Sequence, residues 1–318
     1  MSVPGLNRKR TLPIAAGLGV LVATTALAVS TTSPVKTTAR NEVIPAAGDD
    51  WFAWSRSRER TRGPFDLYVQ RTGENAFRVS KKAYAGGIDG TTLAYQVIRG
   101  SGLGNSDLRL FDLATRRAKR LPSGINTARW ECCARISGDW LMFSRARASG
   151  TGRQLVLLRN LRTGEQRVVD ANQARRGALR AAQLNGTFAV WSRCDPYPRC
   201  RIFRYDVASG SATLLTVPAG MVPYAPSVNQ YGTVYYAQRG PGCGNSVKLM
   251  KQHLIGPPEL LASLPRGTDV GVSYAHAPTL KPPRELATTH VYFDQRSCGK
   301  QQRWDIYRID DTERVPGP

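Results

Sequence analysis

The sequence predicts an all-β fold, namely a six-bladed β-propeller built from four-stranded antiparallel blades. One strand motif recurs along the chain, tight-turn signals precede it, and further alternating apolar runs follow each copy. Self-similarity at a fixed period of this length is typical of propellers and other repeat architectures. No amphipathic helix of three turns is evident, which argues against a sheet covered by helices.

The motif is an apolar, aromatic strand that ends in Arg in five of its six copies. The copies are WFAWSR (51–56), TLAYQV (92–97), WLMFSR (140–145), FAVWSR (188–193), VYYAQR (234–239) and VYFDQR (291–296). Their starts lie 41, 48, 48, 46 and 57 residues apart, close to the length of one propeller blade. Both faces of the motif are apolar, so we expect both to be buried between stacked sheets. A solenoid, the rival interpretation, usually has shorter repeats with fewer strands.

The flanking segments complete a four-stranded unit. Turn signals such as Asp89-Gly90 and Asn185-Gly186 precede the motif and predict a tight hairpin into it. A second alternating run follows, for example DLYVQR at 66–71, and a Thr-Gly or Ser-Gly turn then leads to a short outer strand. The predicted blades occupy approximately residues 41–81, 82–124, 125–174, 175–219, 220–266 and 267–318.

An aromatic strand ending in Ser-Arg, followed by Asp-Leu-Tyr or Asp-Ile-Tyr and a Thr-Gly turn, resembles the TolB-like, or PD40 (WD40-like), propeller repeat. The residues that carry this resemblance are Trp54-Ser55-Arg56 with Asp66-Leu67-Tyr68, and Arg296 with Asp305-Ile306-Tyr307. The resemblance implies a propeller over essentially the whole mature chain. The Ser-Pro-Asp-Gly turn of the family is degraded here, and no counterpart of the TolB N-terminal domain is found, so a role in the Tol system is not carried over.

The first residues have the order of a secretion signal. Arg8, Lys9 and Arg10 precede an apolar stretch from Leu12 to Val29, and Ala26-Leu27-Ala28 forms an A-x-A cleavage site. Residues 1–28 are therefore predicted to be a signal peptide and residues 29–40 a flexible segment before the propeller. An uncleaved membrane anchor is the alternative, because the apolar stretch of roughly 18 residues reaches the lower limit for spanning a bilayer.

The charge favours anionic partners. The chain carries a net charge of +22, and cleavage after Ala28 would leave 318 − 28 = 290 residues with a charge of 22 − 3 = +19. Such a charge on a secreted or envelope-associated protein favours a protein or an anionic envelope polymer as partner. A basic compositional bias spread over a solvated surface is the alternative. We expect a monomer without nucleic acid as a ligand, and no stable membrane span after cleavage.

The arginines that end the motif should form a partial ring on one face of the propeller. We expect Arg56 to pair with Asp66, and Arg296 with Asp305, across their hairpins. The motif arginines of blades 3, 4 and 5 have no acid at the start of the next strand. Together with two neighbouring arginines they form a candidate anion-binding patch: Arg145, Arg147, Arg193, Arg199 and Arg239.

Six cysteines in an exported protein suggest disulfides, and their spacing matches no zinc site. Cys194 and Cys200 bracket a hairpin loop and are expected to close it. Cys243 and Cys298 occupy equivalent loops of neighbouring blades and are candidates for a second bridge. Cys132 and Cys133 either form a vicinal disulfide or place one thiol in a bridge to Cys194 or Cys200.

The signals for catalysis are poor, and no metal or cofactor is predicted. Among the histidines, His276 alone falls on a channel-lining strand, with Tyr274 nearby. The other polar residues of these strands include Arg129, Glu131, Arg135, Arg180 and Tyr224, with few acids among them. We therefore expect a secreted, non-catalytic binding scaffold. The alternative is a secreted propeller enzyme of the polysaccharide lyase or glycoside hydrolase type, with its site at the channel mouth.

Overall fold

The computed structural model describes residues 32–59, 64–100, 105–146, 152–173, 178–195, 198–240, 242, 244–277, 286–298 and 303–314. Within these ranges the regular elements are β-strands, and they pair into five sheets. The predicted signal peptide lies outside the described residues. No helix in the described part of the chain is long and apolar enough to cross a membrane.

The strands follow one another in a simple order. The N-terminal strand is β1 (Ser33–Lys36), and the first sheet contains β2 (Glu42–Ala47), β3 (Trp51–Ser57), β4 (Phe65–Arg71) and β5 (Phe77–Ser80). An eight-stranded sheet contains β6 (Ala83–Asp89), β7 (Thr92–Ile98), β8 (Ser106–Asp112), β9 (Arg117–Lys119), β10 (Trp130–Ser137), β11 (Trp140–Ala146), β12 (Arg153–Asn160) and β13 (Gln166–Gln173). The next sheet contains β14 (Ala178–Asn185), β15 (Phe188–Cys194), β16 (Cys200–Asp206) and β17 (Ser211–Leu214). It is followed by the sheet of β18 (Val222–Val228), β19 (Val234–Arg239), β20 (Lys248–Gln252) and β21 (Glu259–Ser263). The last sheet contains β22 (Thr268–His276), β23 (Leu286–Ser297), β24 (Trp304–Arg314) and the returning β1.

The eight-stranded sheet differs from the expected unit of four strands. It consists of two antiparallel series, β6–β9 and β10–β13. One parallel pair, Trp130 opposite Ser106, joins the two series. The Ser106 hydroxyl also donates a hydrogen bond to the Glu131 carbonyl oxygen, which holds the start of β10 against β8.

The repeated motif supplies the second strand of every series, namely β3, β7, β11, β15, β19 and β23. The six largest fully buried side chains lie in these strands: Trp54, Trp191, Tyr235, Tyr236, Phe143 and Phe293. This confirms the expected burial of the motif. Aromatic side chains of this size bury more apolar surface than other residues, so the motif provides much of the free energy that holds neighbouring sheets together.

The first strands of the six series form a closed ring, and we call them the inner strands: β2, β6, β10, β14, β18 and β22. Each inner strand lies against the one before and the one after it, and β22 lies against β2. At the outer side of the last sheet, β1 pairs antiparallel with β24, with Pro34 opposite Tyr307. Residues 33–36, expected to be flexible, are therefore a paired strand that joins the N-terminal segment to the C-terminal sheet.

Candidate functional site

A β-bulge interrupts each of the six inner strands. The register shifts lie at Val43/Ala46, Ala85/Gly87, Cys132/Arg135, Ala181/Gln183, Tyr224/Ser227 and Val270/Ser273. Ile44, Cys133 and Ala225 within these bulges have positive φ angles of 55°, 61° and 49°. Residues other than glycine rarely adopt such angles, and they concentrate at functional sites. A bulge also re-aims side chains, and here it turns them toward the axis of the ring.

The bulges surround a cavity of about 330 Å³ at the centre of the ring. Every inner strand contributes to its wall, and β7 and β15 add Gln96, Ser192 and Cys194. Part of the wall is apolar, for example Ala85, Ala182 and Pro226. Concave sites of this size, mostly apolar with a few polar groups, are the usual form of small-ligand sites.

Arg135 is the most unusual side chain of this wall, because it is 3% exposed and makes no ion pair with a described carboxylate. Its guanidinium donates to the carbonyl oxygen of Ala182 on β14 and, at 3.0 Å, to that of Ala134. Burial lowers the pKa of Arg135, since water no longer solvates the charge. A buried charge without a counter-charge is costly, so this position favours an anion in the cavity.

A second arginine, Arg180, lines the same cavity and is exposed. The described residues that form the wall include no Asp or Glu. The cavity is therefore electropositive, with one buried and one exposed guanidinium at its surface. Two planar guanidinium groups suit a carboxylate, sulfate or phosphate, which accept paired hydrogen bonds.

Cys133 also lines the cavity, beside the buried Cys132. Neither cysteine is in a disulfide. A hydrogen bond from Cys132 lowers the pKa of Cys133 to about 7, and the charges of Arg180 and Arg135 act in the same direction. Burial raises the pKa of Cys132, which stays a thiol at neutral pH.

Asp294 closes the ring beside this cavity. The carboxylate lies on β23 and accepts hydrogen bonds from the backbone amides of Gly271 and Val272 in the β22 bulge, at 2.9 and 2.6 Å. It also accepts from the Ile44 amide in the β2 bulge at 2.9 Å. Burial raises the pKa of Asp294 to about 6 in spite of these bonds. One side chain thus links the first and last sheets at their bulges.

The motif arginines of β11, β15 and β19 were predicted to lack an acidic partner, and this prediction is wrong. Arg145 pairs with the buried Glu131 at 2.9 Å. Arg193 pairs with Asp170 of β13 at 2.7 Å, and Arg239 with Asp269 of β22 at 2.9 Å. In the last two cases the acid comes from a neighbouring sheet, which the spacing within one repeat does not reveal.

The predicted pairs of the first and last blades are also wrong in their partners. Arg56 lies opposite Asp66 in the ladder, but its guanidinium binds Glu42 of β2 at 2.8 Å. Arg296 binds Asp269 at 3.2 Å. The acids that were expected instead bind nearer arginines, since Asp66 pairs with Arg58 and Asp305 with Arg303.

Two further arginines, Arg147 and Arg199, belong to the predicted patch. Arg199 is exposed, and Arg147 lies outside the described residues. Arg145, Arg193 and Arg239 are largely buried, and their charge is neutralised by the carboxylates with which they pair. Arg135 and Arg180 of the central cavity, by contrast, form no ion pair with a described carboxylate.

The cysteines follow the prediction in one hairpin. Cys194 and Cys200 form a disulfide that closes the loop between β15 and β16. Cys298 is also disulfide-bonded, while Cys243, its predicted partner, lies outside the described residues. Cys132 and Cys133 are unbridged, so the predicted alternatives for this pair are not adopted in this structure.

A second cavity, of about 340 Å³, lies at the other end of the ring. His276 lines it and lies 3.2 Å from the Asp49 carboxylate, while burial lowers the pKa of His276. The Gln183 side chain lies between the two cavities. Its oxygen accepts hydrogen bonds from the backbone amides of Val228 and Ala275, and its nitrogen donates one to the Ala275 carbonyl oxygen. Within the described ranges, no group of three or more His, Cys, Asp or Glu side chains could hold a metal ion.

No protein-family model matches the chain, and no curated protein matches it in sequence. Solved structures with the same fold do exist. An oligogalacturonate lyase in complex with manganese is 11% identical, with 90% of this chain and 96% of that chain covered and a TM-score of 0.52. A neuraminidase-like protein from A/bat/Guatemala/164/2009 is 8% identical, with 89% and 94% covered and a TM-score of 0.54. A prolyl endopeptidase is 14% identical, with 83% of this chain but 41% of that chain covered and a TM-score of 0.50.

These likenesses define the class of protein. The chain is a β-propeller, as its all-β sheets and closed ring of inner strands indicate. At such low identity the likenesses show the fold alone.

Sequence reasoning placed Arg135 and Arg180 on channel-lining strands but did not single them out. The bulge explains this, because one extra residue within a strand decides which side chains turn to the axis. One signal was present in the sequence. Two cysteines and an arginine occur together in the run Cys132-Cys133-Ala134-Arg135, and no other inner strand contains this combination.

Proposed function

We propose that this chain is an extracytoplasmic binding scaffold, which takes an anionic group of an envelope polymer or a protein into the central cavity of its propeller. The observation that carries the proposal is the buried Arg135, which lines this cavity and has no carboxylate partner among the described residues. A bound anion would supply the missing counter-charge.

The propeller of this proposal has six four-stranded blades. The eight-stranded sheet counts as two blades, because a single parallel pair joins its halves. The six inner strands and their six bulges support this count. A TolB-like, PD40 repeat is compatible with it. The Cys194–Cys200 disulfide supports a location outside the cytoplasm, where such bonds persist.

The proposal predicts specific binding of small anionic oligomers. Isothermal titration calorimetry with a carboxylate oligomer (oligogalacturonate) and a phosphate oligomer (polyphosphate) tests it. We expect one of them to bind at one site per chain, and Arg180→Gln to weaken binding at least about tenfold, which is about 1.4 kcal/mol.

Arg117→Gln is the matched control, since Arg117 is exposed on the outer strand β9 and loses the same charge. Equal weakening by the two variants would mean that the whole basic surface, not the cavity, attracts the anion. Absence of binding by both oligomers would overturn the proposal.

The enzyme alternative rests on the second cavity, where His276 and Asp49 form a close pair. Its test is turnover of polysaccharide substrates by the purified chain, with His276→Ala as the variant. Turnover that disappears in this variant would replace the binding proposal. Turnover that the variant retains would place the reaction elsewhere.

A further inference from the structure

The central cavity contains a thiol as well as two arginines, and the anion-binding proposal does not use it. Cys133 is partly exposed to the cavity, whereas Cys132 is 1% exposed and faces away from solvent. The other cysteines in the described ranges are in disulfides. Cys133 is therefore the accessible free thiol of this part of the chain.

We propose that Cys133 is a covalent capture site for anionic disulfides of low molecular weight, that is, disulfides whose substituents carry carboxylates. The Cys133 thiolate attacks one sulfur of the disulfide R–S–S–R and forms a Cys133–S–S–R bond. The original S–S bond breaks, and the second half leaves as the thiolate R–S⁻. The Cys133 sulfur is oxidised and the leaving sulfur is reduced, so no other reactant is required.

Three features of the wall support this reaction. The neighbouring Cys132 thiol and the charges of Arg135 and Arg180 lower the pKa of Cys133 and so favour a thiolate. The same two arginines attract a carboxylate substituent, and the buried Arg135 has no described acid to compete with it. The cavity of about 330 Å³ can hold one half of such a disulfide next to Cys133.

The backbone contributes a fourth feature. Cys133 has a positive φ of 61° within the β10 bulge, where the ladder with β11 is interrupted. The bulge frees Cys133 from the regular alternation of the strand, and Cys133 lines the cavity, while Cys132 remains opposite Ser144 in the ladder. The two neighbouring cysteines thus have different surroundings and different reactivity.

The test compares three disulfides of different charge on the intact mature chain. These are the dianionic 5,5′-dithiobis(2-nitrobenzoate), the neutral 4,4′-dithiodipyridine and the dicationic cystamine. We expect about one thiol per chain to react in the native state, and the anionic reagent to react at least about tenfold faster than cystamine, each relative to its rate with a free cysteine peptide. Peptide mass spectrometry should locate the adduct on Cys133 in the wild-type chain.

Three variants separate what the cavity arginine, the overall surface charge and Cys132 contribute to the labelling of Cys133. Arg180→Gln should reduce the preference for the anionic reagent about threefold or more, and the Arg117→Gln control should preserve it. Cys132→Ser should still be labelled. An adduct on Cys132, equal relative rates for anionic and cationic reagents, or no native labelling would each overturn the proposal.

The inference shares the cavity with the proposed function, but the two can fail separately. Binding of an anionic oligomer without labelling of Cys133 would remove the thiol site and leave the binding scaffold. Charge-selective labelling of Cys133 without oligomer binding would remove the binding scaffold and leave the thiol site.

Discussion

Arg239 and Asp269 belong to different sheets, yet the guanidinium and carboxylate lie 2.9 Å apart. The same carboxylate binds Arg296 at 3.2 Å and accepts a hydrogen bond from the Tyr224 hydroxyl at 3.4 Å. Asp269 is the second residue of the inner strand β22, so a single acid joins the motif strands β19 and β23 to the ring. This ion pair and the one between Arg193 and Asp170 therefore connect neighbouring sheets, whereas Arg56 and Arg145 each pair with an acid of their own sheet.

The first prediction concerns the Asp269 junction, that is, the ion pairs of Asp269 with Arg239 and Arg296. Asp269→Asn should lower the free energy of unfolding by about 3 kcal/mol, because two partly buried guanidinium groups lose the Asp269 carboxylate as an ion-pair partner. Urea unfolding followed by fluorescence measures the effect. Asp50→Asn is the control, because Asp50 is exposed and its pair with Arg71 spans 3.7 Å. A loss for Asp269→Asn no larger than that of the control would contradict the role of the junction.

The ion pairs illustrate what the sequence can and cannot predict. The motif strands were predictable, because burial of both faces leaves an unbroken apolar run that repeats. The partners of the arginines were not, since Asp170 and Asp269 approach from other sheets. A signal did exist within two repeats, where Glu42 precedes Arg56 by 14 residues and Glu131 precedes Arg145 by 14.

The cavity was harder to predict for a different reason. In a strand without bulges the side chains would alternate regularly, and the sequence alone would show which of them face the axis. The bulge changes this alternation at one point, and its location depends on contacts across the ring. Gly86 is an example, because its neighbours are the carbonyl oxygens of Ala94 in its own hairpin and Ala134 in the next inner strand.

The second prediction follows from this close approach. A Cβ at position 86 would collide with the carbonyl oxygens of Ala94 and Ala134, which are backbone atoms and cannot rotate away. Gly86→Ala should therefore destabilise the chain by about 2 kcal/mol or more. Gly244→Ala should have little effect, since a Cβ there meets open space. Thermal unfolding of both variants tests the difference, and similar melting temperatures would argue against a tight bulge in β6.

The third prediction concerns pH. Burial raises the pKa of Asp294 to about 6, above its ordinary value of 3.8. A raised pKa in the folded state means that the protonated form is favoured there. The contribution of Asp294 to stability is thus fully present below its ordinary pKa, and it is lost as pH rises through about 6. The loss is at most about 3 kcal/mol for a shift of this size.

Asp294→Asn removes this charge but also weakens the hydrogen bonds to the bulge amides of Ile44 and Gly271. The variant should be less stable than the wild type near pH 5, and its deficit should shrink between about pH 5 and pH 8. Unfolding curves at several pH values give this difference directly, with other titrating groups cancelling. A deficit that grows as pH rises would show that the carboxylate is needed in its charged form.

The fourth prediction concerns the closure of the ring by β1. Its pairing with β24 covers an edge that would otherwise expose unpaired backbone groups, and Lys36 lies 4.5 Å above the ring of Trp54 in the first sheet. A chain that begins at Thr37 should lose about 3 kcal/mol of stability and associate through the free edge. A chain that begins at Thr32 should keep its stability and should not associate. Urea unfolding and light scattering of the two truncations provide the measurements. If they behave alike, the sheet of β22–β24 holds without β1, and the contacts of β22 with β2, together with the bonds of Asp294 to Ile44, suffice to close the ring.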